Sequence, residues 1–216
     1  MDLKSYFSEA ELKEIETAVS KAETETSGEI VPVFVAQCER YPEAVYKGGI
    51  FLAMIVFLIV SVMELFWLDF PVIHLVPIMG MVVAGGIVGA LLTQYIDPLK
   101  RLMAGRNRLE IAAIRRAEHF FIREEVFMTR ERTGILIFMA LFEHEVVVLA
   151  DEGINGAVEQ ETWNDLIDET VHAIKKKNVC QGIINAINRS AKILKEKGVE
   201  IRPDDTDELP NQLRTD

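Results

Sequence analysis

The chain contains little of what secreted disulfide-rich proteins and nucleic-acid-binding proteins are built from. Its 216 residues include only two cysteines, Cys38 and Cys180, which lie far apart and outside any Cys-x-x-Cys pattern, so no disulfide framework is indicated. It has 23 lysine and arginine residues against 34 aspartate and glutamate residues, and the net charge of −11 argues against binding nucleic acid through its phosphates. The polar stretch 1–29 lacks the apolar core of a signal peptide, so we expect the N-terminus to stay in the cytoplasm.

Signature motifs of common hydrolases are also missing from the sequence. It contains no Walker loop, no HExxH helix and no nucleophile elbow. A phosphate-cradling loop requires an arginine six residues after its cysteine. Ala44 and Ala186 occupy that position after Cys38 and Cys180. Three scattered histidines fit ordinary surface or partly buried positions better than ligand positions: His119, His144 and His172. The motif search therefore favours a non-catalytic role over an enzymatic one.

Two long apolar runs dominate what is present, at residues 48–66 and 70–96. A bilayer core is crossed by about 20 apolar residues in helical conformation, which each run can supply. Only Trp67–Asp69 separates them, and two spans with a short link form a helical hairpin because backbone groups in lipid must be satisfied within each helix. We therefore predict a transmembrane hairpin over residues 46–98. A pair of buried core helices in a soluble protein is the alternative.

Basic residues flank the hairpin and predict its orientation. Arg40 and Lys47 precede the first span, the basic run Lys100–Arg108 follows the second, and the link carries Asp69. The positive-inside rule then places both termini in the cytoplasm, and the expected location is a bacterial inner membrane. The lipid bilayer is thus a predicted partner, and we expect the basic run to face anionic head groups.

Small residues in the second run predict close helix packing. Gly85 and Gly89 have GxxxG spacing, which lets two helices approach each other. The first span, with Gly49 and Ala53, is the favoured partner, and a homo-oligomer through Gly85 and Gly89 is the alternative.

Ionisable side chains inside the two runs are limited to Glu64 and His74. Such residues are functional candidates in a membrane. Both lie close to the link, which favours an interfacial role over a part in transport.

The remaining sequence predicts an α/β domain. Apolar periodicity and turn residues predict helices near 8–26, 99–126, 162–176 and 179–198, and strands near 29–37, 135–142 and 145–150. Pro32 removes one ladder donor, so it places the first strand at a sheet edge or the start of that strand in an unpaired stretch. We predict a small α/β/α sandwich formed by 1–45 and 99–200, with the hairpin inserted after the first strand. The expected core includes Ile135, Ile137, Val147, Leu149, Trp163 and Ile184. Residues 201–216 are expected to be an acidic, mobile tail.

Several short segments of this domain resemble the TPM domain family, named in part for plant thylakoid-lumen proteins. They are Thr26–Ile30, Arg116–Phe120, Arg132–Ile137, Val148–Ile154 and Asp207–Pro210. The resemblance implies the family's α/β fold. It also implies two activities described for some relatives, weak acid phosphatase activity and calcium binding.

Carboxylates form the best polar group in the sequence. Asp151 and Glu152 follow a predicted strand, Glu29 begins another, and Asp165 and Asp168 share a face of one predicted helix. Hard oxygen ligands suit Ca²⁺ or Mg²⁺, so these five residues are the predicted metal ligands. The spacing of an EF-hand is missing, and a solvated acidic surface is the alternative.

Together these features predict a membrane-anchored binding or assembly module at the cytoplasmic membrane face. Its expected partner is a membrane or cytoplasmic protein. The alternative is a weak phosphatase that depends on a divalent metal, which only the resemblance implies. A small transporter is a third reading, with Glu64 and His74 as its support.

Overall fold

The computed structural model describes residues 6–66, 75–155, 158–175, 178–199 and 209–215. Its helices are α1 Glu9–Glu23, α2 Pro42–Phe66, α3 Leu75–Tyr95, α4 Asp97–Ala104, α5 Arg106–Arg123, α6 Glu152–Asn155, α7 Gln160–Lys175 and α8 Val179–Glu196. Its strands are β1 Glu29–Val35, β2 Gly134–Ala140 and β3 Glu145–Ala150, and a 3-10 turn spans Val126–Met128. The chain forms two compact units. The first unit consists of Met1–Cys38 and Glu110–Asp216, and the second consists of Glu39–Leu109. The predicted hairpin boundaries, 46–98, fall inside the second unit.

Helix α1 begins at a capping box, which the three-residue spacing of Ser8 and Glu11 in the sequence indicates. The backbone N–H of Glu11 donates to the hydroxyl of Ser8 at 3.2 Å, and the Glu11 carboxylate accepts from the Ser8 N–H at 2.8 Å. The bonds that the Glu11 carboxylate accepts from the N–H and the hydroxyl of Ser8 lower the pKa of Glu11, because they stabilise its ionised form. Ile15, Val19 and Ala22 on the opposite side are buried in the domain core.

The sheet of the first unit has the order β1-β2-β3, with β1 parallel to β2 and β2 antiparallel to β3. β2 is central and every residue in it is buried, as its continuous apolar sequence predicts. β1 lies at an edge, which confirms the position predicted from Pro32.

Helices cover both faces of this sheet, which confirms the predicted α/β class. On one face α1, α7 and α8 pack against alternate strand residues, including Ile30, Ile135 and Ile137. On the other face α5 packs through Ala113, Ala117 and Phe120. The predicted core residues Trp163 and Ile184 belong to the first cluster, and the predicted Val147 and Leu149 pack half-buried against the second.

One predicted helix is wrong in its continuity. The sequence pattern suggests a single helix over 99–126, whereas the structure has α4 and α5 separated at Gly105. Gly105 has φ +86°, and its N–H closes α4 by donating to the carbonyl of Arg101 at 3.0 Å. A residue without Cβ adopts this left-handed conformation at little cost, so the apolar stripe continues while the backbone does not.

The C-terminal segment also differs from the prediction of a mobile tail. Residues 209–215 lie along the outer edge of β1, where Arg214 forms a parallel bridge with Val33. The Leu213 side chain is buried, with 8% of its surface exposed, and belongs to the main core cluster. The composition of this segment does not predict its docking, because only Leu209, Leu213 and Arg214 make the contacts that hold it.

In the second unit, α2 and α3 pack against each other through glycine. A Cβ on Gly89 would lie 2.5 Å from the carbonyl oxygen of Gly48, and a Cβ on Gly85 would lie 2.7 Å from a methyl group of Val56. The structure thus places Gly85 and Gly89 against the first helix of the same chain. A homo-oligomer through this face stays a prediction.

Both helices are long and apolar enough to cross a membrane. Only 6% of the apolar window of α2 and 11% of that of α3 is buried, which does not fit core helices of a soluble protein. Glu64 is exposed near the end of α2, whereas the link and His74 lie outside the described residues.

Candidate functional site

One end of the sheet brings together the polar segments that the sequence singles out. Glu29 at the start of β1 lies opposite Gly134 at the start of β2, and its N–H donates to the carbonyl of Thr133 at 3.2 Å. On the other side of β2, the N–H of Asp151 donates to the carbonyl of Gly134 at 2.9 Å. Three segments that are distant in sequence therefore meet at this end of the sheet.

Asp151 is a buried carboxylate at this end, and it is held by Arg132. Its two oxygens accept from Nε and Nη2 of Arg132 at 2.7 and 2.9 Å, and Oδ1 also accepts from the N–H of Glu152 at 2.8 Å. The Asp151 side chain is only 5% exposed, whereas that of Arg132 is 52% exposed. The hydrogen bond and the charge of Asp151 raise the pKa of Arg132. The pair joins the segment before β2 to the segment after β3, at the open end of the hairpin, and positions the first turn of α6.

Tight backbone contacts fix the loop around this ion pair. Arg132 has φ +59°, and its carbonyl accepts from the N–H of Gly153 at 3.0 Å. A Cβ on Gly153 would lie 2.5 Å from the carbonyl oxygen of Glu131 and 2.6 Å from that of Arg132. Glycine at 153 is therefore required by close approach rather than by its own φ angle.

Gly134 separates the two buried carboxylates of the site. Alternation along the strands puts the side chains of Glu29 and Asp151 on the α5 face, on either side of Gly134. A Cβ on Gly134 would lie 2.0 Å from the carbonyl oxygen of Val126, so the 3-10 turn fills the space that this glycine leaves. Two strand spacings, roughly 10 Å between backbones, therefore lie between the two acids.

The predicted metal ligands are only partly brought together. Asp151 and Glu152 are adjacent, with the Glu152 side chain 88% exposed and 4.0 Å from Nη2 of Arg132. Glu29 is 7% exposed beyond Gly134, and Asp165 and Asp168 are exposed on α7. Among the described residues, no three His, Cys, Asp or Glu side chains are grouped so that they could hold a metal ion. Metal binding by the predicted set stays a prediction.

Sequence reasoning missed the part that Arg132 takes at this site. A usable signal was present, because Arg132 and Asp151 bracket the predicted hairpin at nearly matched register. Opposite charges at facing ends of two antiparallel strands are expected to pair.

The opposite end of the hairpin holds a third buried acid, Glu143, at the β2–β3 turn. Its Oε1 accepts from the N–H of Cys38 at 2.9 Å, and the residue is 3% exposed. Glu143 therefore fixes the backbone just beyond β1, which is a structural role.

At the base of α2, the second unit contains its own charged group. Arg108 binds Glu39, lies 3.2 Å from Glu43 and stacks over the Tyr41 ring with 5.6 Å to its centroid. The bond to Glu39 raises the pKa of Arg108. Because Arg108 is paired and Lys100 is buried, the basic run is less available to lipid than its sequence suggests.

Comparison with known proteins agrees with this fold. Residues 106–193 match the family model of the TPM domain. The NMR structure of the BA42 protein from the psychrophilic bacterium Bizionia argentinensis superimposes with a TM-score of 0.59 at 19% identity, covering 100% of this chain and 99% of that chain. No curated protein sequence matches the chain. Residues 106–193 are therefore similar to the TPM domain, and the chain as a whole shares its fold with BA42.

Proposed function

We propose that this chain is a membrane-anchored TPM-domain protein whose domain serves as a non-catalytic binding or assembly module at the cytoplasmic membrane face. The observation that carries the proposal is the state of Asp151, the most favourably placed carboxylate. Both of its oxygens are engaged, by Arg132 and by the N–H of Glu152. A carboxylate held in this way organises a loop, whereas a general base needs an oxygen directed at a substrate proton.

Anchoring in a membrane is supported by the surface of α2 and α3. At 1.5 Å per residue, their 25 and 21 residues extend about 37 and 32 Å, enough for a hydrocarbon core of about 30 Å. Large apolar side chains are exposed along both, among them Phe57, Leu58 and Val83. Exposed apolar surface on this scale calls for a covering partner, and lipid fits two helices whose backbone bonds are internal.

Cysteine labelling in intact cells tests the anchoring and its orientation. In a background with Cys38 and Cys180 replaced by serine, a cysteine at Asp69 should react with a membrane-impermeant reagent, and one at Asp204 should react only after lysis. The reverse pattern would invert the topology, and labelling of both positions only after lysis would refute membrane insertion.

The assembly role is tested by crosslinking in native membranes. We expect photo-crosslinkers at exposed positions of the domain, such as Glu152, to capture a defined partner, and positions on α2 to capture lipid. Adducts that form equally from all exposed positions of the domain would contradict a specific binding surface.

The alternative is a metal-dependent phosphatase, and the name of the matching family model, TPM_phosphatase, favours it. Phosphate release by the purified full chain with Ca²⁺ or Mg²⁺ separates the two functions. Turnover that is abolished by Asp151→Asn and kept by Glu152→Gln would make the enzyme reading correct. Under the metal hypothesis, Ca²⁺ should also raise the melting temperature of the wild type more than that of Asp151→Asn.

A further inference from the structure

The outer edge of β1 is occupied by the C-terminal clasp, which we define as residues 209–215. The N–H of Arg214 donates to the carbonyl of Pro32 at 2.9 Å, and the N–H of Phe34 donates to the carbonyl of Arg214 at 2.9 Å. These are the two bonds of a parallel bridge centred on Val33. The clasp therefore acts as a short fourth strand of the sheet.

Side chains of the clasp alternate between the two faces, as in a strand. Arg214 pairs with Val33, whose side chain lies on the α5 face. On that face, Nε of Arg214 lies 2.9 Å from Oε2 of Glu124. Leu213 points to the opposite face and joins the main core cluster. The ion pair is largely shielded from water, with the Arg214 and Glu124 side chains 15% and 19% exposed. One apolar residue and one arginine thus define what this edge accepts.

The same arginine holds the clasp in shape. Its Nη1 and Nη2 donate to the carbonyls of Gln212 and Pro210 at 2.5 and 2.6 Å, and Arg123 donates to the carbonyl of Thr215 at 3.2 Å. A lysine could not make these bonds together with the Glu124 pair, because its ammonium lacks the planar fork.

Pairing between the clasp and β1 is short for a physical reason. In a strand, the N–H and C=O of one residue point to the same side, so the missing N–H of Pro32 would have faced the clasp. The next ladder bond, to the carbonyl of Gln212, cannot form, and that carbonyl accepts from the arginine instead. By contrast, β1 pairs with β2 along seven residues. A contact limited to one bridge can open while the sheet stays intact.

We propose that the outer edge of β1, together with Glu124, is a peptide-binding groove for an extended Leu-Arg segment, and that its partner in trans is the clasp of a second copy of this chain. Exchange of identical segments between copies needs no contact beyond those already formed within one chain. Two copies anchored in one membrane would meet at high effective concentration. This inference names a partner for the proposed assembly function, and it rests on that function.

A peptide-binding experiment tests the groove. The full chain without residues 209–216, in detergent, should bind a fluorescent peptide of residues 207–216 saturably. Replacing Arg214 by alanine in the peptide, or Glu124 by glutamine in the acceptor, should weaken binding by about tenfold or more, since either change removes a shielded charge-assisted bond. The intact chain is the matched control and should bind the peptide more weakly, because its own clasp competes.

If the shortened acceptor does not fold, as judged by circular dichroism, the full-length Arg214→Ala chain replaces it, since that chain keeps Leu213. Failure of a folded acceptor to bind the peptide at concentrations up to about 1 mM would overturn the groove. Binding that is insensitive to both Glu124→Gln and the peptide's Arg214→Ala would overturn it as well.

Exchange between copies is tested by mixing intact chains that carry two different tags. Co-purification of the tags should increase with time and should be reduced by Glu124→Gln. Peptide binding without any co-purification would refute the second copy as partner. If membrane crosslinking then captured a different protein, the proposed assembly function would remain supported. Failure of the second copy as partner is therefore distinguishable from failure of the assembly function.

Discussion

Replacing Trp163 tests the packing of the domain most directly. The indole lies on α7 with 4% of its surface exposed and belongs to the cluster formed by α1, β2 and α8. Trp163→Ala should lower the free energy of unfolding by about 3–5 kcal/mol, because the ring's apolar contacts are lost and a cavity remains.

The environment of the indole nitrogen allows a sharper test. Its N–H is buried and finds no acceptor in the described part of the chain. Trp163→Phe removes this unpaired donor while keeping most of the ring, so it should cost only about 1–2 kcal/mol. The two substitutions at one position thus separate packing from hydrogen bonding.

Thermal unfolding of the full chain in detergent, followed by circular dichroism, measures both effects. For a unit of this size each kcal/mol corresponds to roughly 2–4 °C, so Trp163→Ala should lower the melting temperature by about 6–20 °C. Glu169→Ala, an exposed position on the same helix, is the matched control and should change stability by less than about 0.5 kcal/mol. An unchanged melting temperature for Trp163→Ala, or an equal loss for phenylalanine and alanine, would refute this account of the core.

Three further predictions follow from other parts of the molecule. Asp151→Asn should lower the free energy of unfolding by about 2–3 kcal/mol, since a buried carboxylate loses charge-assisted bonds, whereas Glu152→Gln should change little; equal melting temperatures for the two variants would contradict this. Burial raises the pKa of the Cys180 thiol from 9.0 to about 11, so the neutral thiol contributes stability below pH 9 that is lost as the pH rises toward 11. The loss should amount to about 3 kcal/mol in denaturant titrations and should be absent in Cys180→Ala. Cysteines at Ala53 and Gly86, whose Cβ atoms would lie 3.5 Å apart, should form a disulfide within one chain when the native cysteines are serine; a crosslinked dimer on a gel would show that the helices pair between chains.

Local patterns in the sequence predict most of the individual elements. The capping box at Ser8, the apolar run of β2 and the edge position of Pro32 each depend on neighbours within a few residues, and each is found in the structure. The break at Gly105 is not predicted by these patterns, because the apolar positions keep helical spacing on both sides of this glycine.

The candidate site was only partly accessible to sequence reasoning. Composition marks Asp151 and Glu152 as carboxylates at the end of a strand, but composition does not say which cation they meet. Arg132 lies nineteen residues earlier in the chain and reaches Asp151 only through the register of β2 and β3. The predicted convergence of five acids depended on distances between strands and helices, which no local pattern contains.

By itself, the sequence determined the element types, the α/β class and the presence of two apolar helices of membrane-spanning length, because each follows from short-range periodicity. Tertiary structure alone decided that Asp151 pairs with Arg132, that Val126 fills the space beside Gly134 and that the C-terminal residues 209–215 dock on β1. These contacts join residues far apart in the chain, and their geometry depends on strand register and on the packing of α5 against the sheet. A segment with few apolar residues can still dock when its leucine and arginine meet a core and a carboxylate that distant parts of the chain have already placed.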